Sequence, residues 1–119
     1  MKTLILGATT NEARYANIAT KRLLKHGYEI ILLGNKKGEI EGHPIINDTA
    51  NIIEEIDTVT LYLSERNQVN YEDFLLKLNP RRVIFNPGTE NPALSQKLTK
   101  QGVEALNACT LVMLSTNQY

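Results

Sequence analysis

The chain has 119 residues, enough for one domain with one hydrophobic core and too short for two. Lys plus Arg number 13 and Asp plus Glu number 13, so the net charge is zero and no global field draws the chain to nucleic acid or to an anionic membrane. Cys109 is the one cysteine, which excludes an internal disulfide and a cysteine-based zinc site, and the two histidines, His26 and His43, lack metal-ligand spacing. Met1-Lys2-Thr3-Leu4 runs straight into a strand-like segment, with no apolar region of signal-peptide length and no stretch near the roughly 20 apolar residues of a membrane span. A single cytoplasmic domain over residues 1–119 is the expectation.

Thr3 to Leu6 is a short apolar run ending at Gly7 and reads as a buried strand. Asn11 to Gly27 reads as a helix, with Ala16, Ile18, Ala19, Leu23 and Leu24 at helical spacing and Gly27 as its stop. Tyr28 to Leu33 is a second strand, apolar at nearly every position, as strands buried on both faces of a parallel sheet are. Gly34 to Gly42 is polar, Pro44 to Ile46 is a candidate short strand, and Thr49 to Ile53 a helical turn or two capped by Asp48 or Thr49. Thr58 to Leu63 reads as a strand. Val69 to Leu78 reads as an amphipathic helix with Val69, Phe74, Leu75 and Leu78 on one side and Pro80 ending it. Arg82 to Phe85 is another strand. Pro92 to Gly102 is a helix capped by Asn91, and Val103 to Leu106 a last strand. Thr110 to Leu114 fits a strand or a helical turn equally.

Alternating strands and helices predict a Rossmann-like, doubly wound, mostly parallel α/β sheet of about five strands with helices on both faces. Such sheets bind ligands beyond the carboxyl ends of their strands. The loops at Gly7–Glu12, Gly34–Gly38, Ser64–Gln68, Asn86–Asn91 and Asn107–Cys109 are therefore where chemistry is sought. Gly7 lets backbone approach a ligand, and the helix that follows offers free N–H groups to a phosphate. One glycine of a G-x-G-x-x-G fingerprint is present, and a tight turn accounts for it equally well. The second strand ends Leu33-Gly34-Asn35-Lys36-Lys37, without the acid that takes ribose hydroxyls in NAD-binding domains; two lysines suit a ribose phosphate, as in NADP or coenzyme A, or a solvated turn. Glu90 has no acid/base partner nearby in sequence, Cys109 reads as a small buried residue, and no Walker, G-x-S-x-G or paired-histidine motif occurs. Catalytic machinery is not visible.

The order Leu4-Ile5-Leu6-Gly7-Ala8-Thr9, Tyr15, Asn17, Leu24-Lys25-His26-Gly27-Tyr28-Glu29-Ile30, then Asn35-Lys36-Lys37-Gly38, Ile40-Glu41-Gly42-His43-Pro44-Ile45 and a late Cys109 resembles the small CoA-binding-domain family. That family is itself similar to the N-terminal domain of the succinyl-CoA synthetase α subunit. The resemblance covers nearly the whole chain and implies coenzyme A, or an acyl-CoA, held at the strand ends. It implies that Gly7, Ala8 and Thr9 line the pyrophosphate with Tyr15 and Asn17 beside it. Asn35, Lys36 and Lys37 would face the adenosine end, and Tyr62, Ser64, Asn86 and Gly88 would border the cleft. Lys36 replaces the proline common in the family, and Thr9 replaces a serine but keeps the hydroxyl. The synthetase's phosphohistidine domain has no counterpart here.

Three readings follow. The first is a CoA-binding module, non-catalytic alone, whose partner is a small-molecule cofactor, with no nucleic acid and no membrane; a homodimer or a protein partner stays open. The second is an interaction domain with a degenerate cleft filled by side chains such as Tyr15 or Tyr62. The third is a small NADP-dependent enzyme.

Overall fold

A computed structural model describes all residues, Met1–Tyr119. Seven strands form one sheet: β1 (Lys2–Leu6), β2 (Glu29–Leu33), β3 (Glu39–Ile40), β4 (His43–Ile46), β5 (Thr58–Leu61), β6 (Arg82–Phe85) and β7 (Glu104–Asn107). Their spatial order is β3-β4-β2-β1-β5-β6-β7, and every neighbouring pair is parallel except β3 with β4. The doubly wound Rossmann-like architecture is as predicted, but the count is seven rather than about five. The additions are β4, which the sequence offered as a candidate, and β3. A two-residue strand is too short to show any alternation. It exists because Glu41 (φ 51°) and Gly42 (φ 80°) turn the chain back through two left-handed residues, the twist a tight hairpin requires.

The helices are α1 (Tyr15–Lys25), α2 (Glu65–Gln68), α3 (Glu72–Leu78), α4 (Pro92–Lys100) and α5 (Thr110–Ser115), with 3-10 turns at Thr49–Asn51 and Val69–Tyr71. Two differ from expectation. The first helix starts at Tyr15 rather than Asn11, because Asn11 Oδ1 accepts the Ala13 N–H at 3.0 Å and holds the chain in a local turn. The predicted helix from Val69 to Leu78 is instead a 3-10 turn followed by α3. The tighter turn shifts the side-chain register, so Val69, expected on the buried side, is 69% exposed while Leu75 is fully buried. Asn79, in the left-handed region (φ 47°), closes α3 ahead of Pro80. The undecided tail is helix α5.

Apolar side chains alternate across the sheet and build a core on each face. Leu4, Leu6, Leu33, Val59, Leu61, Val83 and Phe85 pack with Leu75 of α3 and Leu94 and Leu98 of α4. On the other face Ile5, Ile30 and Leu32 meet Ala16 and Leu23 of α1 and Leu114 of α5. Both faces being covered explains why β1 and β2 read as continuous apolar runs. Along α1 the buried residues Ala16, Ala19, Thr20 and Leu23 follow the i, i+3, i+4, i+7 stripe.

Candidate functional site

The chain leaves β1 toward β2 and β4 on one side and later reaches β5, β6 and β7 on the other, so the strand order reverses between β1 and β5. The loops after those strands diverge there and open a crevice at the carboxyl edge of the sheet. Its centre is a cleft of about 470 Å³ walled by the loop after β1 (Gly7, Thr9), the start of α1 (Arg14, Tyr15) and the loops after β5 and β6 (Ser64, Gly88 among them). Toward β2 it adjoins a pocket of about 220 Å³ bordered by Ala8, Gly34 and Asn35, with Gly7, Leu63 and Asn67 common to both. Toward β7 it adjoins a chamber of about 230 Å³ bordered by Asn86, Cys109 and Leu111, with Tyr15, Tyr62 and Pro87 common to both.

The β1 loop is held from below. The N–H groups of Gly7 and Ala8 both donate to Leu33 O, at 2.9 and 3.0 Å, so neither is free for a ligand. The Asn17 amide, buried beneath the loop, donates to Thr9 O at 3.0 Å. Gly34 is the glycine this packing demands: a Cβ there would lie 2.5 Å from Ala8 O. Gly7 is needed for its backbone, at φ +101°. The donors left open stand one turn further on. Tyr15 and Ala16, the first residues of α1, have N–H groups with no intrahelical acceptor, as the geometry of a helix start dictates, and no loop or side-chain acceptor takes their place. Arg14 precedes them in extended conformation, exposed and in no ion pair, and the first turn carries no acid. A cation at the positive end of a helix is unfavourable by itself and favourable once an anion sits between the two.

The opposite wall is rigid. Buried Gln68 donates to Leu63 O (2.8 Å) and Thr89 O (2.7 Å) and accepts from Asn91 Nδ2 (2.9 Å), joining the loops after β5 and β6. Asn91 Oδ1 also caps α4 by accepting from Leu94 N at 3.1 Å. Asn86 is saturated: its amide donates to Thr60 Oγ1 (2.7 Å) and Leu61 O (2.8 Å) and accepts from Thr110 N (2.8 Å). It borders the chamber but spends its polarity on seating α5. Glu90 Oε1 accepts from Gly88 N at 3.0 Å and folds onto its own loop. Burial pushes the Tyr62 phenol up to about 12, so it stays neutral at the cleft.

Of the residues named from sequence, Gly7, Ala8, Thr9, Tyr15, Asn35, Tyr62, Ser64, Asn86 and Gly88 line the three connected spaces. Asn17 lies beneath the loop. Lys36 and Lys37 are exposed beside Asn35, outside the lining. Cys109, read as a buried residue, is half-buried and borders the chamber. Arg14, Asn67 and Leu111 were missed. For Arg14 the signal was available: a basic residue opening a helix that has no acid in its first turn. The larger concavity of the molecule, about 850 Å³, lies at the opposite, amino edge. It has no glycine loop and no long-helix N-terminus, and its charges are partly paired: Arg81 grips Asp57 with two bonds of 2.8 and 3.0 Å, holding that carboxyl below the usual range. The carboxyl-edge crevice is the candidate site.

A doubly wound sheet with an open crevice at its switch point is an architecture shared by nucleotide-cofactor-binding domains. Residues 1–115 match the family model described as CoA binding domain, and the chain belongs to that family. A crystal structure of an uncharacterized protein is 52% identical, with a TM-score of 0.96 over 99% of this chain and 97% of that one. A hypothetical protein from Pyrococcus horikoshii OT3 is 27% identical, with a TM-score of 0.86 over 97% of this chain and 81% of that one. A dinucleotide forming acetyl-coenzyme A synthetase of Ca. Korarchaeum cryptofilum shares the fold at 13% identity, with a TM-score of 0.75 over 90% of this chain and 25% of that one. No curated protein matches the chain. No helix is long and apolar enough to cross a membrane.

Proposed function

We propose that the chain is a CoA-binding module, non-catalytic by itself, that holds coenzyme A along the carboxyl edge of the sheet. The observation that carries this is the pair of unpartnered N–H groups at Tyr15 and Ala16 with Arg14 at their head, opening into the central cleft. Three donors and a helix dipole at one point fit a pyrophosphate. The pocket at Asn35 then takes the adenosine end, with the exposed Lys36 and Lys37 that follow Asn35 in the chain reaching for the ribose 3′-phosphate, and the chamber at Cys109 takes the thiol end. Coenzyme A supplies a thiol that carries acyl groups. The chain supplies binding and orientation. No carboxylate and no imidazole lines any of the three spaces, which leaves phenols, those of Tyr15 and Tyr62 among them, and the Cys109 thiol as proton-transfer groups and favours a binding role over the NADP-enzyme reading. An interaction domain with a filled cleft is less well supported, since the cleft is open and Tyr15 is 70% exposed rather than folded into it.

The test is thermal unfolding with CoA, dephospho-CoA, NADP and NAD in parallel. A ligand at a hundredfold excess over its dissociation constant stabilises by about 2.7 kcal/mol. Stabilisation by CoA that weakens with dephospho-CoA is the expected result. No shift with any of the four at millimolar concentration overturns the proposal.

A further inference from the structure

We propose that the chamber beside β7 selects the acyl group, and that the preferred ligand is the CoA thioester of a short, uncharged acyl chain of about two to four carbons. The inference rests on the CoA reading and deepens it.

The chamber sits at the end of the crevice farthest from Lys36 and Lys37, where the thiol of a CoA laid along the strand ends would arrive. Its walls are two tyrosines, a proline, a leucine, Asn86 and Cys109. Asn86 offers a ligand no free donor, because both its amide hydrogens go to Thr60 and Leu61 while its oxygen accepts from Thr110. The Tyr62 hydroxyl is held in its neutral form by burial. No cationic side chain borders the space, whereas Arg14 stands in the adjoining cleft, so a carboxylate on the acyl group would enter without a counter-charge. Size sets the other limit. The chamber, about 230 Å³, is a small annex of the cleft that takes the sulfur end and a few acyl carbons, and the remainder of a fatty chain would lie outside it without apolar walls. The floor is firm because α5, which carries Leu111, is anchored to β5 and to the residue after β6 through Thr110.

The experiment is isothermal titration, under reductant, of CoA, acetyl-, propionyl-, butyryl-, malonyl- and palmitoyl-CoA. From acetyl to butyryl the affinity should rise by up to about fourfold per methylene, the equivalent of ~0.8 kcal/mol each. Malonyl-CoA should bind more weakly than butyryl-CoA by at least about tenfold. Palmitoyl-CoA should gain nothing over butyryl-CoA. In Leu111→Trp the thioesters should fall to the affinity of CoA itself. In Leu111→Ala the optimum should move to a longer chain, and either variant's fold is checked by circular dichroism. Equal affinities along the series, or malonyl-CoA matching butyryl-CoA, overturn the acyl selection while leaving CoA binding intact. Absence of binding by CoA and every thioester overturns both.

Discussion

The two edges of the sheet treat polar groups differently. At the amino edge some of them are spent on one another. Asp57 is gripped by Arg81, and its backbone bonds Lys2 and Arg82. Tyr119 closes that side by sharing a 2.6 Å hydrogen bond with Thr3, lying under the Arg82 guanidinium and meeting Tyr28 edge-on at 4.9 Å. Glu54 Oε2 is the one buried side-chain atom left without a partner. At the carboxyl edge Gln68 and Asn86 in the supporting layer are engaged at both ends of their amides and Asn17 holds Thr9 O, but the layer above holds Arg14 without an ion pair and two free N–H groups. The larger hollow is therefore not the better site. Unspent donors, backed by a layer that cannot rearrange to satisfy them, mark the place where a ligand is expected.

That contrast can be broken at its strongest point first. Asn86→Ala strips the support layer of three hydrogen bonds and leaves Thr110 N and Leu61 O buried without that partner, so urea unfolding should show a loss of about 3 kcal/mol. A loss below about 1 kcal/mol means that water or repacking replaces the amide, and the support is softer than described. Arg14→Gln should do the reverse, weakening CoA by roughly tenfold to a hundredfold in titration with the ligand-free melting temperature unmoved. A changed melting temperature with unchanged affinity would place Arg14 in the fold. At the amino edge, Asp57→Asn should cost at most about 1 kcal/mol at neutral pH, since Arg81 is half exposed and its charge is screened. The Asp57 carboxyl is lowered in the folded chain, so its contribution is present above the unfolded carboxylate range and lost as pH falls through the folded value. Unfolding midpoints of wild type and Asp57→Asn should converge in acid; a constant gap would deny the ion pair its role. The smallest effect is at Tyr62. Its phenol should give no ionisation signal where ordinary tyrosines titrate, near pH 10, so the absorbance titrations of wild type and Tyr62→Phe should superimpose there.

Much of the fold was legible because each βα unit carried its own punctuation: an apolar run, a glycine, an amphipathic stripe. The five main strands lie where the runs are. What escaped depends on geometry that composition does not encode. The segment from Val69 keeps an amphipathic spacing, yet one tight turn sends Val69 outward. The hairpin of β3 is legible only through its turn, since two residues have no pattern. For the candidate site, topology names the loops that border the crevice, but not the division of labour inside them. Asn17 and Asn86 have the residue type of ligand contacts and serve as brackets, because the atoms they bind come from other strands and loops. Arg14 was hidden by placing the helix start four residues early, which turned a residue at the helix mouth into one on its side.

Thr110 also bears on the order in which the chain assembles. Its N–H and hydroxyl find their partners in Asn86 and Thr60, at the ends of two strands that pair with each other. The last helix therefore completes its polar anchorage only when β5 and β6 are side by side, although Leu114 also packs against α1. The Gly7 loop needs only the first two strands, since the N–H groups of Gly7 and Ala8 both donate to Leu33 O. One end of the crevice is thus complete once β1 and β2 pair, whereas the other needs β5, the end of β6 and the last helix together, with Thr110 reaching back to Thr60.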